Sequence, residues 1–92
     1  MDPALRRKLG EKIQETVDRG AEIRAMADML SPGPTEDFVG GVIAGRLYNS
    51  FYYQCRRIKK RSPEPGEMEE FLAMIASEWD RMVAACVRAA PE

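Results

Sequence analysis

The segment that most limits how this chain can fold lies near its middle. Residues 38–45 read FVGGVIAG and contain no polar side chain. On a helix, Phe38, Val39, Val42, Ile43 and Ala44, together with the glycines between them, would leave no direction with a polar side chain. A helix that is apolar all round is normally covered on every side, and this run is far too short to span a membrane. We therefore predict a central helix whose first half is enclosed by protein.

Three glycines are an unusual feature of the same segment. Each helical glycine costs about 1 kcal/mol relative to alanine, because glycine loses more backbone freedom on folding. Gly41 and Gly45 fall on one side of the helix, where close approach of another helix would offset this cost. We predict a helix that includes Gly40 and Gly41. The alternative is a loop that continues to a helix start near Val42.

The second half of the central helix has one apolar and one polar side. Its apolar stripe is predicted to face the core and consists of Ile43, Leu47, Phe51, Cys55 and Ile58. The opposite side is basic, aromatic and amidic, and consists of Arg46, Asn49, Tyr53, Arg56, Arg57 and Lys60. This periodicity is typical of an amphipathic helix with one solvent-facing side.

Another helical pattern precedes the central one. Asp2 before Pro3 is typical of a helix start, since aspartate caps the first amide groups and proline fits the first turn. Apolar residues then recur at helical spacing, at Leu5, Leu9, Ile13, Val17, Ile23, Ala27 and Leu30. We predict one helix of about seven turns, ended by the SPGP motif at 31–34. A break near Gly20 is the alternative.

A third helix is predicted after the SPEPG loop at 62–66. Its core seam repeats at alternating spacings of four and three residues, as in coiled coils, and consists of Met68, Leu72, Ile75, Trp79, Met82, Cys86 and Ala89. Three further residues widen it, namely Phe71, Ala76 and Val83. No stretch alternates with the period of a strand, and the connections are short. The sequence therefore predicts a single all-α domain over residues 1–92, an antiparallel three-helix bundle with up-down-up topology.

A three-helix monomer covers one stripe on each helix, which leaves part of the segment 38–45 without cover. A second copy related by a two-fold axis would supply that cover, so we expect a homo-oligomer, with a dimer favoured. The predicted interface consists of Phe38, Val39, Gly41, Val42, Gly45, Tyr48 and Tyr52. The alternative is a monomer in which the loop at 32–34 covers this segment.

The composition lacks most of the groups that catalysis uses. There is no histidine, which is the commonest general base, and GGVIAG lacks the lysine and hydroxyl ending of a phosphate-binding loop. Cys55 and Cys86 lie on apolar stripes without CxxC spacing, so we predict core thiols rather than zinc ligands or a disulfide. The acidic residues of the third helix follow no metal-binding motif. We expect no enzyme activity, no metal and no cofactor.

Charge is unevenly placed, although the net charge is only −1. Residues 31–61 carry six basic and two acidic side chains, whereas residues 62–92 carry two basic and seven acidic side chains. The polar side of the central helix has the residue types that grip phosphates and stack on bases. However, the predicted hairpin brings the cations of 56–61 beside the anions of the third helix, and each group can largely neutralise the other.

The favoured function is a protein–protein interaction or assembly module that associates with itself. RNA or DNA binding through the polar side of the central helix is the alternative. Because Met1 is followed directly by charged residues and no transmembrane run is present, we expect a cytoplasmic protein without membrane association.

Overall fold

Four α-helices make up the fold over residues 1–88, which are the residues that the computed structural model describes. Within these residues there is no β-strand. The helices are α1 (Pro3–Asp18), α2 (Gly20–Leu30), α3 (Glu36–Lys59) and α4 (Pro65–Val87). The prediction of an all-α fold is confirmed. The prediction of three helices is wrong, because the first predicted helix is divided into α1 and α2.

The division between α1 and α2 occurs at Arg19, whose backbone departs from helical geometry with φ −103° and ψ 26°. The next residue, Gly20, is buried against α4. A Cβ atom at Gly20 would lie 2.7 Å from the backbone carbonyl carbon of Ala85 and 3.2 Å from the amide nitrogen of Cys86. Only glycine allows this approach without movement of α4. The bend therefore redirects the chain so that the start of α2 packs directly on the α4 backbone.

The predicted helix start at Asp2 is confirmed, and α3 begins after a capping residue of the same kind, Thr35. The Asp2 side chain accepts hydrogen bonds from the backbone amides of Ala4, at 2.8 Å, and Leu5, at 3.3 Å. The Thr35 hydroxyl accepts one from the amide of Phe38 at 3.1 Å. These bonds satisfy amides that have no partner within the helix. Because α3 begins before the glycine pair, the prediction of a helix through that pair is confirmed, and the alternative start near Val42 is wrong.

The core lies between α3 and the other three helices. The apolar stripe of α3 is buried from Ile43 through Cys55, and the ring of Phe51 stacks on Phe71 of α4 with centroids 4.4 Å apart. The stripe predicted for α1 and α2 is buried at Leu5, Leu9, Ile13, Ile23 and Ala27. Two positions differ from the prediction. Thr16 rather than Val17 is fully buried, with its hydroxyl bonded to the Lys12 carbonyl at 2.9 Å, and Leu30 is 69% exposed.

The buried face of α4 is rotated from the predicted seam. Its buried members are Phe71, Ile75, Met82, Val83 and Cys86. Leu72, which the seam placed in the core, is 56% exposed, and Ala76 is exposed as well. The reason is that α4 contacts α1, α2 and α3 at once, so its buried face is set by three neighbours rather than by one two-helix seam. The last predicted seam residue, Ala89, lies outside the described residues.

Candidate interaction surface

A row of residues at coiled-coil spacing lies along the side of α3 that faces away from the core, with Tyr52 half-buried and the others exposed. We call this row the α3 seam, and it consists of Phe38, Gly41, Gly45, Tyr48 and Tyr52, at spacings of three, four, three and four residues. Phe38 is 37% exposed and Tyr48 is 49% exposed. No heavy atom lies within 4 Å of a Cβ atom built at Gly41 or Gly45. The seam therefore has the spacing of a helix–helix contact with no helix of residues 1–88 packed on its glycines.

The other side of the segment 38–45 is enclosed within the protomer. Val39 and Ile43 have no exposed surface, and a Cβ at Gly40 would lie 3.0 Å from the Trp79 ring. Val39, which the apolar pattern assigned to an interface, is therefore a core residue. Val42 is half-buried against the core. The expectation of enclosure is thus met on the core-facing side and is unmet along the α3 seam.

An apolar groove adjoins the α3 seam, between α3 and α4. The groove has a volume of about 440 Å³ and is lined by Ala44, Gly45, Tyr48, Phe71, Leu72, Ile75 and Trp79. The exposed side chain of Leu72 stands at its rim on α4, opposite Tyr48 on α3. Leu72 was missed as a surface residue because Phe71 and Leu72 are consecutive, so periodicity alone does not show which of them faces the core.

The C-terminal part of the seam passes into a row of aromatic and cationic groups in contact with one another. The rings of Tyr48 and Tyr52 are 4.9 Å apart, and the guanidinium of Arg56 lies 5.4 Å from the centroid of the Tyr52 ring. A tilted aromatic contact and cation–π attraction hold side chains that are separated by one helical turn. The exposed side of α3 therefore changes along its length from apolar and glycine-rich to aromatic and then basic.

The predicted polar side of α3 is divided by one ion pair and one hydrogen bond to an amide. At one end, Arg46 donates to Glu15 of α1 at 2.7 Å, and this pair is partly buried. At the other end, the Arg57 Nε donates to the buried Gln54 side chain at 3.2 Å. Asn49 and Tyr53 are exposed between these ends, and Tyr53 is 60% exposed. The structure therefore makes Arg46 a bridge between α1 and α3, and leaves the other predicted residues accessible.

The predicted neutralisation of the basic cluster at 56–61 by the third predicted helix, which is α4, occurs at one of its five cations, and a second cation pairs outside α4. Arg61 makes a two-pronged pair with Glu67 of α4, at 2.6 and 3.2 Å, and Lys59 lies 3.6 Å from Asp2. The Arg61 guanidinium and the Glu64 amide lower the pKa of Glu67 from 4.5 to about 2. Across residues 1–88, the remaining three cations have no carboxylate within 4.0 Å, and they are Arg56, Arg57 and Lys60.

The described part of the chain offers few groups for chemistry. Between Met1 and Arg88, no cluster of three or more acidic or cysteine side chains could hold a metal ion. Cys55 and Cys86 are free, fully buried thiols, and burial raises the pKa of each. Both therefore remain protonated near neutral pH, when a thiol is a poor nucleophile. None of the four helices combines the length and apolar content needed to cross a membrane.

Comparisons of the chain with protein-family models, with curated proteins and with solved structures found no match. The geometry of the α3 seam, the groove beside it and the cations beyond it is therefore the basis for assigning a function.

Proposed function

We propose that this chain is a non-enzymatic assembly module that associates with itself through the α3 seam and the adjoining groove. The observation that carries the proposal is the continuity of exposed apolar surface across two helices. Tyr48 and Leu72 are 49% and 56% exposed on opposite sides of the same apolar groove. Apolar surface of this kind, contiguous rather than scattered, is typical of protein–protein interaction sites.

The apolar side chains on this surface supply a driving force of the right size. Complete burial of one large apolar side chain contributes about 1.5–3 kcal/mol. Phe38, Tyr48 and Leu72 are each between one third and three fifths exposed, so each copy contributes several kilocalories per mole when a partner covers it. A symmetric pair doubles the number of buried side chains, which is the advantage of a two-fold interface.

A second copy is the favoured partner because the surface carries both protrusions and depressions. Tyr48 and Leu72 project from α3 and α4, whereas Gly41 and Gly45 leave open space along α3. In a two-fold interface the same patch serves both copies, so it must be complementary to itself. Large side chains beside glycines on a single patch meet that requirement.

The proposal is tested by Leu72→Glu, with Leu30→Glu as the matched control. Both leucines are well exposed, at 56% and 69%, and only Leu72 lines the groove. Because a carboxylate in an apolar contact is costly to desolvate, Leu72→Glu is expected to shift a dimer to monomer in light scattering. Leu30→Glu should leave the dimer unchanged. Dimers of equal strength in both variants, or a monomeric wild type, would contradict the proposal.

Nucleic-acid binding is the second candidate, and a specific observation favours it. Arg56, Arg57 and Lys60 lack a carboxylate partner among the described residues, and the exposed ring of Tyr53 lies one turn away. Cations that pair with phosphates release counterions, so affinity should fall steeply with added salt.

The test of this second candidate is fluorescence anisotropy with a labelled single-stranded RNA. Arg56→Gln with Arg57→Gln should weaken binding and reduce its salt dependence. Arg7→Gln, which removes an exposed arginine of α1, is the control and should have little effect. An absence of binding at low salt would exclude this function.

A further inference from the structure

The charges at the two ends of α3 determine which way round two copies can pair. The first turn of α3 is acidic, with Glu36 and Asp37, and the last turns are basic, with Arg56 and Arg57. Parallel pairing would place the two basic ends side by side, and like charges repel. Antiparallel pairing places each acidic end beside a basic end of the other copy, and it also aligns opposite helix dipoles.

The seam residues alternate in size in a way that suits the same antiparallel arrangement. A coiled-coil seam has two kinds of position, called a and d, which alternate along the helix. In an antiparallel pair, a residue at an a position faces a residue at a d position of the partner. When Gly45 is level with Tyr48 of the second copy, Gly41 is level with Tyr52 of that copy. Each tyrosine then faces a glycine that has open space beside it.

The size pattern selects one register, and the order of acidic and basic turns along α3 is consistent with it. The alignment that sets Gly45 beside Tyr48 of the second copy also sets Asp37 level with Arg56 of that copy. In an antiparallel pair, one register aligns all residues whose numbers have the same sum. All of these pairs have the same sum, so a single register satisfies them together. The two-fold axis of this arrangement passes α3 between Arg46 and Leu47.

The tyrosines are ordered for this contact before any partner binds. The ring of Tyr48 packs at a tilt against the ring of Tyr52, with centroids 4.9 Å apart, and the Arg56 guanidinium lies 5.4 Å from the Tyr52 ring centroid. Side chains held in one arrangement lose less conformational freedom on association. Arg56 is therefore held near the level at which Asp37 of a second copy arrives.

We infer that two copies pair antiparallel along α3, with glycine facing tyrosine at the centre and acidic facing basic turns at the ends. The inference rests on the proposed self-association and specifies its geometry. It also predicts the architecture of the assembly. Each α3 lies over the α3–α4 groove of the other copy, so the contact is built from two α3 helices flanked by two α4 helices.

The experiment is pulsed electron paramagnetic resonance on spin labels placed outside the contact. Ser62→Cys labels the loop after α3, and Met29→Cys labels an 86% exposed site shortly before α3. Cys55 and Cys86 are fully buried, and wild-type protein treated with the label provides the background control. Light scattering of each labelled variant first reports whether it is a dimer.

Antiparallel pairing places the two Ser62 labels at opposite ends of the assembly, separated by about 40 Å or more at 1.5 Å per helical residue. Two Met29 labels are also far apart. An equal mixture of the two labelled variants should add a distance shorter than either. Parallel pairing predicts the opposite. The Ser62 labels would be close together, the Met29 labels would be close together, and the mixture would add a longer distance.

The two levels of the hypothesis fail in different ways. Dimers with short distances in both single-label samples would overturn the antiparallel geometry and leave self-association intact. Monomers at every concentration would overturn self-association, and the geometry with it. Dimers with long single-label distances and no shorter distance in the mixture would also overturn the inferred register.

Discussion

Replacing Gly41 and Gly45 by alanine should raise the stability of the monomer. Both glycines lie inside α3, and neither has a heavy atom within 4 Å of an added Cβ. Each substitution removes the conformational cost of a helical glycine, about 1 kcal/mol, so the double variant should gain about 2 kcal/mol in free energy of unfolding. For a domain of this size, that gain raises Tm by roughly 8–16 °C.

The same double variant should weaken self-association. In the proposed interface, each glycine faces a tyrosine of the second copy, and two methyl groups would hold the helices apart. We expect the dimer Kd to rise tenfold or more, which corresponds to about 1.4 kcal/mol. Urea denaturation at several protein concentrations separates the two effects. The gain in stability should be largest in dilute protein and should shrink as the concentration rises, because the wild-type dimer is then also stabilised by mass action.

Gly10→Ala is the matched control for this prediction. Gly10 lies inside α1, is exposed and also has open space beside it. It should show a similar gain of about 1 kcal/mol per substitution with no change in association. An equal gain for Gly10 and for the seam glycines at every concentration would refute the assignment of the seam to an interface. A loss of monomer stability in the seam variants would refute the open space beside the glycines.

Two further predictions test the fold itself. Gly20→Ala should lower stability by about 1–3 kcal/mol, because the new methyl group would overlap the α4 backbone. In chemical denaturation, the change in free energy of unfolding should have opposite signs for Gly20→Ala and Gly10→Ala. Glu67→Gln should lower stability near neutral pH by about 1–2 kcal/mol, which is the effect of the lowered pKa of Glu67 discounted for the 36% exposure of Arg61. Because that pKa is depressed from 4.5 to about 2, the stabilisation is complete above pH 4.5 and is lost as the pH falls towards 2. The stabilities of Glu67→Gln and wild type should therefore converge near pH 2. The control variant Glu69→Gln should have the stability of wild type at every pH.

The helix starts and the α3 core stripe could be predicted from the sequence because their causes are local. Asp2 and Thr35 cap amides within three residues. The stripe of α3 follows from helical periodicity alone, and Ile43, Leu47 and Phe51 are all buried as expected. Such features depend on the order of residues along one helix and require no knowledge of its neighbours.

The bend at Arg19 could not be predicted with the same security, because its cause lies far away in the sequence. From the sequence, a break near Gly20 is only the alternative to one long helix, and the structure shows that this alternative is correct. The necessity of Gly20 becomes visible when the backbone at Ala85 and Cys86 is seen against it. A contact between residues more than sixty positions apart leaves no local signal.

The candidate surface was predicted in part. The seam residues on α3 were selected from the apolar segment, yet Val39 belongs to the core and Leu72 belongs to the surface. Val39 lies four residues before Ile43, so its burial extends the α3 core stripe. Leu72 is exposed because the neighbouring Phe71 is the residue that enters the core, where its ring stacks on Phe51.

The most direct test of the central claim is the solution mass of the wild-type chain. Static light scattering from low micromolar to several hundred micromolar protein, at low and high salt, measures self-association without a label or a substitution. The proposed function predicts a concentration-dependent rise from the mass of one chain, 10.4 kDa, to that of two. This rise should persist in high salt because the centre of the contact is apolar. A mass of one chain at every concentration and salt would contradict the claim.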